Sequence, residues 1–189
     1  MLEPILLILT QLRMFDRRKF DGPIFRSFMD IFSQTIPLLH GVTRLHLNIF
    51  IEIAEGFVPI ILGEHCVFPQ LRELRLLDMG ILSPAFLRRH PTLEHLALGQ
   101  ILCPCELAPL GELTGIVPKL KTFLGPFKLL PHVIPNSTVF HVGLMCGHIL
   151  PGERWVNLML CLRKSRAPIW VFECHMRAFQ VLIVYSFCN

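Results

Sequence analysis

The 189-residue chain has little charge and lacks the signatures of several large functional classes. Asp, Glu, Lys and Arg make up only 17% of its residues, and the net charge of +4 is spread without a long basic run. A nucleic-acid-binding protein normally concentrates Lys and Arg on one surface, so we expect no nucleic-acid partner. No uninterrupted apolar run approaches the ~18 residues that cross a bilayer, so we expect no membrane partner either.

The seven cysteines are odd in number and irregular in spacing. A disulfide framework is therefore a poor interpretation, and reduced thiols in an intracellular protein, cytoplasmic or nuclear, fit better. Cys103 and Cys105, with Cys146 and His148 further on, lack the wider spacing of paired zinc ligands, so we predict no metal site. The apolar run from Ile5 to Leu9 is short and has no basic residues before it, which favours a buried helix or strand over a secretory signal.

No motif with catalytic spacing accompanies the nine histidines. The sequence has no H-E-x-x-H, no G-x-S-x-G, no phosphate-binding glycine loop and no dinucleotide fingerprint. We therefore predict no catalytic residue and no cofactor, and interpret the chain as a non-enzymatic protein. The alternative is a small hydrolase, which requires His95 or His141 within hydrogen-bond reach of a carboxylate or a nucleophile.

A repeated apolar pattern, L-x-x-L-x-L, is the strongest positive signal. Its central positions are Leu45, Leu74, Leu96, Phe123, Val142 and Phe172. Proline precedes four of the six copies, at positions 69, 91, 118 and 168. Because proline ends a helix and favours extended structure before it, these positions are typical of a helix-to-strand junction.

The segments between the copies have helical spacing. Pro23 precedes a run with Phe25, Phe28, Phe32 and Ile36 on one face, Ser83-Pro84 begins a short helix, and Pro151-Gly152 begins another. In that last helix we expect an inward face of Trp155, Leu158, Met159 and Leu162. Helices that alternate with short strands predict a parallel sheet with helices on its other side.

The fold prediction is therefore an α/β chain: an irregular leucine-rich-repeat-like solenoid with a parallel sheet on one face and helices on the other. The copies are unevenly spaced, and the Asn or Cys expected after each is replaced by Phe50, Met79 and Ile101 in the three clearest. We expect one domain over 1–189, with 1–20 and 177–189 as atypical ends.

In such a fold the residues that flank each central position project onto the open face of the sheet. This rule gives one row of Arg44, Glu73, His95, Thr122, His141 and Val171, and a second of His46, Arg75, Ala97, Leu124, Gly143 and Glu173. The same alternation predicts that neighbours such as Glu94 and His95 lie on opposite faces. We predict a protein-contact face made of Arg44, His46, Glu73, Arg75, His95, Thr122 and His141.

The stretch FLRRHPTLEHLALG, with FPQLRELRLLD before it and WVNLMLCLRKSRAPIWVFE after it, resembles the leucine-rich-repeat region of F-box-like proteins of mushroom-forming fungi. The resemblance covers about 20–176 and implies the substrate-recognition part of a ubiquitin-ligase receptor. The F-box that would bind the ligase adaptor is not recognisable, because QLRMFDRRKF does not continue the opening MLEPILLIL. A truncated, non-functional gene product is a further alternative.

Overall fold

Seven parallel strands form a single sheet in the part of the chain that the structure describes. The computed structural model describes residues 5–10, 27, 30–31, 34–48, 66–77, 84–99, 115–146 and 152–176. The strands are β1 (Ile5–Thr10), β2 (Val42–Asn48), β3 (Glu73–Leu77), β4 (His95–Leu98), β5 (Thr122–Gly125), β6 (His141–Cys146) and β7 (Val171–Met176). The α/β class and the parallel sheet predicted from the sequence are thereby confirmed.

The strands follow one another in the sheet in the order in which they occur in the chain. Each pairs in parallel with the next, so every connection between paired strands has to cross back to the same end of the sheet. The six predicted copies correspond to β2–β7. The run from Ile5 to Leu9, which the sequence left open as a helix or a strand, forms β1 and pairs with β2.

The helical elements are α1 (Pro84–Arg89), α2 (Leu130–Val133), α3 (Gly152–Leu162) and the 3₁₀ turns Ile36–Leu38 and Phe127–Leu129. The helices predicted at Pro84 and Gly152 are both present. In α3 the expected inward face is partly wrong, because Met159 is 37% exposed and Cys161 is buried beside Leu158 and Leu162. Among the described residues, no helix has the length and apolarity needed to cross a membrane.

Several predictions fall on residues outside the described ranges. They concern the helix face of Phe25, Phe28 and Phe32, the cysteines at 103 and 105, and most of the two chain ends. Of the helix predicted after Pro23, Ser27, Asp30 and Ile31 are helical and exposed, and Ile36, which is buried as expected, begins the 3₁₀ turn Ile36–Leu38.

The core lies on one side of the sheet and is built from equivalent positions of successive strands. The central positions of β2–β7, from Leu45 to Phe172, are aligned by the register and are all at most 2% exposed. The residues three positions before these central positions are also buried: Val42, Leu71, Leu93, Leu120, Val139 and Ile169. The apolar pattern of the sequence is therefore the pattern of burial.

Proline turns set the entrance to three of the strands. In each, proline is the second residue of a tight turn, because its fixed φ suits that position. The turns close through backbone hydrogen bonds from Leu71 to Phe68, from Leu93 to His90 and from Leu120 to Val117. Each turn thus delivers a buried leucine just before its strand.

One core position is occupied by glycine to make room for a larger neighbour. Gly125 lies beside Leu144 in the register, where earlier strands have leucine. A Cβ atom at Gly125 would lie 2.5 Å from the Phe123 ring. Since Phe123 occupies a central position that is leucine in β2–β4, its larger ring fills part of the space that a side chain at position 125 would take.

His90 is a fully buried polar side chain that joins two consecutive units. Its Nε2 accepts a hydrogen bond from the backbone N–H of Phe68 at 2.9 Å, and its Nδ1 donates to the Phe86 carbonyl at 2.6 Å. This pattern requires the neutral ring with its proton on Nδ1. Burial lowers the pKa of His90, which also favours the neutral form.

Candidate functional site

The candidate site is the open face of the sheet, opposite the buried leucines. The register places Arg44, Glu73, His95, Thr122, His141 and Val171 in one row across β2–β7, the first row. It places His46, Arg75, Ala97, Leu124, Gly143 and Glu173 in a parallel second row. The predicted alignment of both rows is confirmed, and the seven predicted contact residues all lie in them.

Glu73 is the centre of an ion cluster at the β2–β3 end of the open face. Its carboxylate accepts hydrogen bonds from Arg44 Nε at 2.6 Å, from His46 Nε2 at 2.9 Å and from Arg75 Nε at 2.5 Å. These partners cover the carboxylate so that its side chain is only 11% exposed. Glu73 therefore lies on the predicted face, but a partner would contact the side chains that cover it and not its carboxylate.

The partners of Glu73 keep its carboxyl group ionised. Burial by itself would raise the pKa of this carboxyl, but the hydrogen bonds from Arg44 and His46 and the charge of Arg75 lower it to about 2. Glu73 is thus ionised throughout the physiological range, and it fixes the stems of Arg44 and Arg75 on the face. Both arginines donate to Glu73 through Nε.

A shallow depression lies in the middle of the face, above β3–β5. Its volume is about 190 Å³, and it is lined by Arg75, His95, Ala97, Thr122 and Leu124, among others. Ala97 creates it, because the second row has a longer side chain on each side, Arg75 and Leu124. His95 is exposed at this depression, whereas Thr122 is nearly covered.

The β6–β7 end contains a second histidine–carboxylate pair. Nε2 of His141 lies 3.1 Å from Oε1 of Glu173, although the approach does not meet hydrogen-bond geometry. Thr122 is the register neighbour of His141 on β5. In the part of the chain that the structure describes, no hydroxyl or thiol group is hydrogen-bonded to the ring of His141 or of His95.

A third row, which the sequence rule missed, borders the open face where the strands begin. We call Thr43, Arg72, Glu94, Lys121, Phe140 and Trp170 the edge row, because each precedes a first-row residue and backbone hydrogen bonds join them in this order. The rule considered only residues that flank the central positions. The signal was nevertheless in the sequence, since aromatic residues replace polar ones here in the last two copies.

The edge row changes from charged to apolar along the sheet. Glu94 accepts a hydrogen bond from Lys121 Nζ at 2.6 Å and lies 3.9 Å from Arg72, and the Lys121 bond lowers the pKa of Glu94. Glu94 immediately precedes β4, which begins at His95. Beyond Lys121, Phe140 and Trp170 are 38% and 57% exposed.

The described residues form neither a metal site nor a site with a reactive thiol. No group of three or more His, Cys, Asp or Glu side chains there could hold a metal ion. The thiols of Cys66, Cys161 and Cys174 are buried, and burial raises the pKa of Cys66 and Cys161. A raised pKa keeps a thiol protonated and poorly nucleophilic, as expected of a core residue.

Comparison with known proteins gives no relative from which a function could be transferred. No protein-family model matches the chain, and neither a curated protein nor a solved structure is similar to it at a significant level.

Proposed function

We propose that this chain is an irregular leucine-rich-repeat-like solenoid that binds another protein on its open face and performs no catalysis. The supporting observation is the separation of the two sides of the sheet. One side buries the aligned leucines, and the other displays three aligned rows along the six strands β2–β7. An extended surface of this kind is what stacked units provide to a binding partner.

The chemistry of the face favours a protein partner over nucleic acid. Glu73 lies among the cations of the first and second rows, Glu94 lies beside Lys121, and exposed aromatic residues follow. Phosphate backbones are bound by surfaces dominated by Lys and Arg, whereas two carboxylates and two exposed aromatic side chains share this face with its cations. Mixed charge beside aromatic side chains is typical of protein interfaces.

The hydrolase alternative has one favourable observation, the proximity of His141 and Glu173. Against it, the depression on the face has a volume of about 190 Å³, while small-molecule sites normally enclose about 300 Å³ or more. A nucleophile hydrogen-bonded to the histidine is also missing from the described residues. We therefore prefer the binding function.

The resemblance to fungal F-box-like proteins extends this proposal. On that basis the bound protein is a substrate for ubiquitin transfer, and the chain acts as, or derives from, the recognition part of a ligase receptor. Recovery of a cullin-ligase adaptor with the full chain, from the cells that produce it, supports this extension. Reproducible recovery of partners without the adaptor leaves an independent binding module.

Matched variants test the binding function itself. Arg75→Glu reverses one charge on the open face, Ala97→Arg fills the depression, and Arg154→Glu is the control on the exposed side of α3. We expect partner proteins captured by the wild-type chain to be retained by Arg154→Glu and lost by both open-face variants. Equal capture by all three variants, with equal unfolding transitions, would refute binding on this face.

A further inference from the structure

The edge row ends in two exposed aromatic side chains that touch no other aromatic ring in the described contacts. Phe140 and Trp170 are neighbours on β6 and β7, since the Trp170 N–H donates to the Phe140 carbonyl at 2.8 Å. Large aromatic side chains are normally buried, and they dominate binding energies when a partner covers them. Val171 and Leu124, both partly exposed, give this end of the open face further apolar surface.

The opposite end of the face has an excess of positive charge. Four cations lie in the three rows over β2–β5, Arg44, Arg72, Arg75 and Lys121, with side chains between 44% and 69% exposed. Two carboxylates, Glu73 and Glu94, lie among them. The cations thus outnumber the acids by two, and the half-exposed cations surround carboxylates that are themselves well covered.

We propose that the partner presents an extended acidic segment with one apolar anchor, which lies across the strands of the open face. The anchor, aromatic or aliphatic, contacts Phe140 and Trp170, and the carboxylates of the segment lie over the cations of β2–β5. This inference rests on the proposed binding function and adds the chemistry and the direction of the ligand.

The geometry of the sheet sets the spacing of these groups in the partner. Adjacent strands are about 4.8 Å apart, so Lys121 is about 10 Å and Arg72 about 19 Å from Trp170 across the sheet. An extended chain advances about 3.3 Å per residue. The acidic residues should consequently begin about three positions from the anchor and continue to about six positions from it.

A display library of random peptides tests the proposal with defined probes. Peptides of about twelve residues are long enough, when extended, to cross the face. They are selected on the immobilised full chain, and a selected peptide is synthesised with a fluorescent label for anisotropy. We expect enriched peptides to carry Asp or Glu three to six positions from a Trp, Phe or Leu, and to bind more weakly as salt increases.

Point variants then locate the two ends of the peptide. Trp170→Ala should weaken binding about thirtyfold, as for an aromatic side chain that a partner covers, whereas Trp170→Phe should restore most of the affinity. Arg72→Gln, which removes an exposed cation with only a 3.9 Å contact to Glu94, should weaken binding and reduce its salt dependence. Arg154→Glu should bind as the wild type does.

The outcomes separate this inference from the binding function. Peptides that need Arg75 but are basic, lack an apolar anchor, or bind Trp170→Ala unchanged would overturn the acidic-segment proposal and leave the open face as a binding site. If no selected peptide depends on any open-face residue, both proposals are wrong. Selective binding of an oligonucleotide in parallel assays, with no peptide bound, would also overturn both.

Discussion

Replacing Glu73 with glutamine tests whether the ion cluster on the open face stabilises the fold. The substitution preserves the shape of the side chain and an oxygen acceptor, but it removes the charge that Arg44, His46 and Arg75 share. We expect Glu73→Gln to unfold more easily than the wild type at pH 7.

The magnitude follows from the shift in pKa. The cluster lowers the pKa of Glu73 from 4.5 to about 2, and each unit corresponds to about 1.4 kcal/mol, which gives an upper value of about 3 kcal/mol. Water screens the half-exposed guanidinium groups, and glutamine retains part of the hydrogen bonding. We therefore expect a loss of about 2 kcal/mol in the free energy of unfolding.

The pH dependence distinguishes this charge effect from a packing effect. Because the pKa is lower in the folded protein, the stabilisation is complete above pH 4.5 and is lost as the pH falls toward 2. Urea unfolding of both proteins, at intervals from pH 7 to pH 2, should give curves of stability that converge at the acid end. Glu94→Gln is the matched control, and we expect it to cost less than about 1 kcal/mol because its pair with Lys121 is more exposed.

A destabilisation below about 0.5 kcal/mol at pH 7, with folding intact, would refute a stabilising role for the cluster. A loss that stays constant from pH 7 to pH 2 would show that Glu73→Gln acts through packing and not through its charge.

Two further predictions concern the core. His90→Leu should cost about 2 kcal/mol because it leaves the buried Phe68 N–H without its acceptor. Because the pKa of His90 is lower in the folded protein, the stabilisation by His90 is complete above pH 6.5 and decreases at lower pH. The free energy of unfolding of the wild type should therefore fall between pH 8 and pH 5, and this part of the fall should be absent in His90→Leu. Gly125→Ala should cost about 1–3 kcal/mol in thermal or urea unfolding, because the new Cβ meets the Phe123 ring, whereas Gly115→Ala, with open space around it, should not. Phe123→Leu added to Gly125→Ala should recover stability, and failure to recover it would contradict the volume argument.

The sheet could be predicted from the sequence because its signals are local and repeat in the same order. Leu45, Leu74 and Leu96 each occupy the fourth position of the same pattern, so aligning the copies also aligns the strands. The proline turns add an independent signal for where β3, β4 and β5 are entered. The repeated pattern did not predict β1, because Ile5–Thr10 is apolar at every position but the last and shows no alternation.

The properties of individual side chains on the face could not be predicted in the same way. The low exposure of Glu73 depends on side chains from β2 and β3 that converge on it, and His90 is buried because a turn 22 residues earlier supplies an N–H group. Phe140 and Trp170 were missed for a different reason, because the rule omitted the position just before each first-row residue. Pairwise contacts across strands are not encoded in the spacing of a single copy.

The order of the strands also limits the entropic cost of closing the chain loops between paired strands during folding. Register partners are 19 residues apart at Thr122 and His141, and 38 apart at Leu6 and Arg44. Doubling the length of a closed loop costs only about 0.6 kcal/mol, so each strand joins its predecessor at nearly the same entropic cost. Folding can therefore proceed by adding one strand at a time to any pair that has already formed. A longer sheet would require more such steps, but the chain loop closed in each step would not be longer.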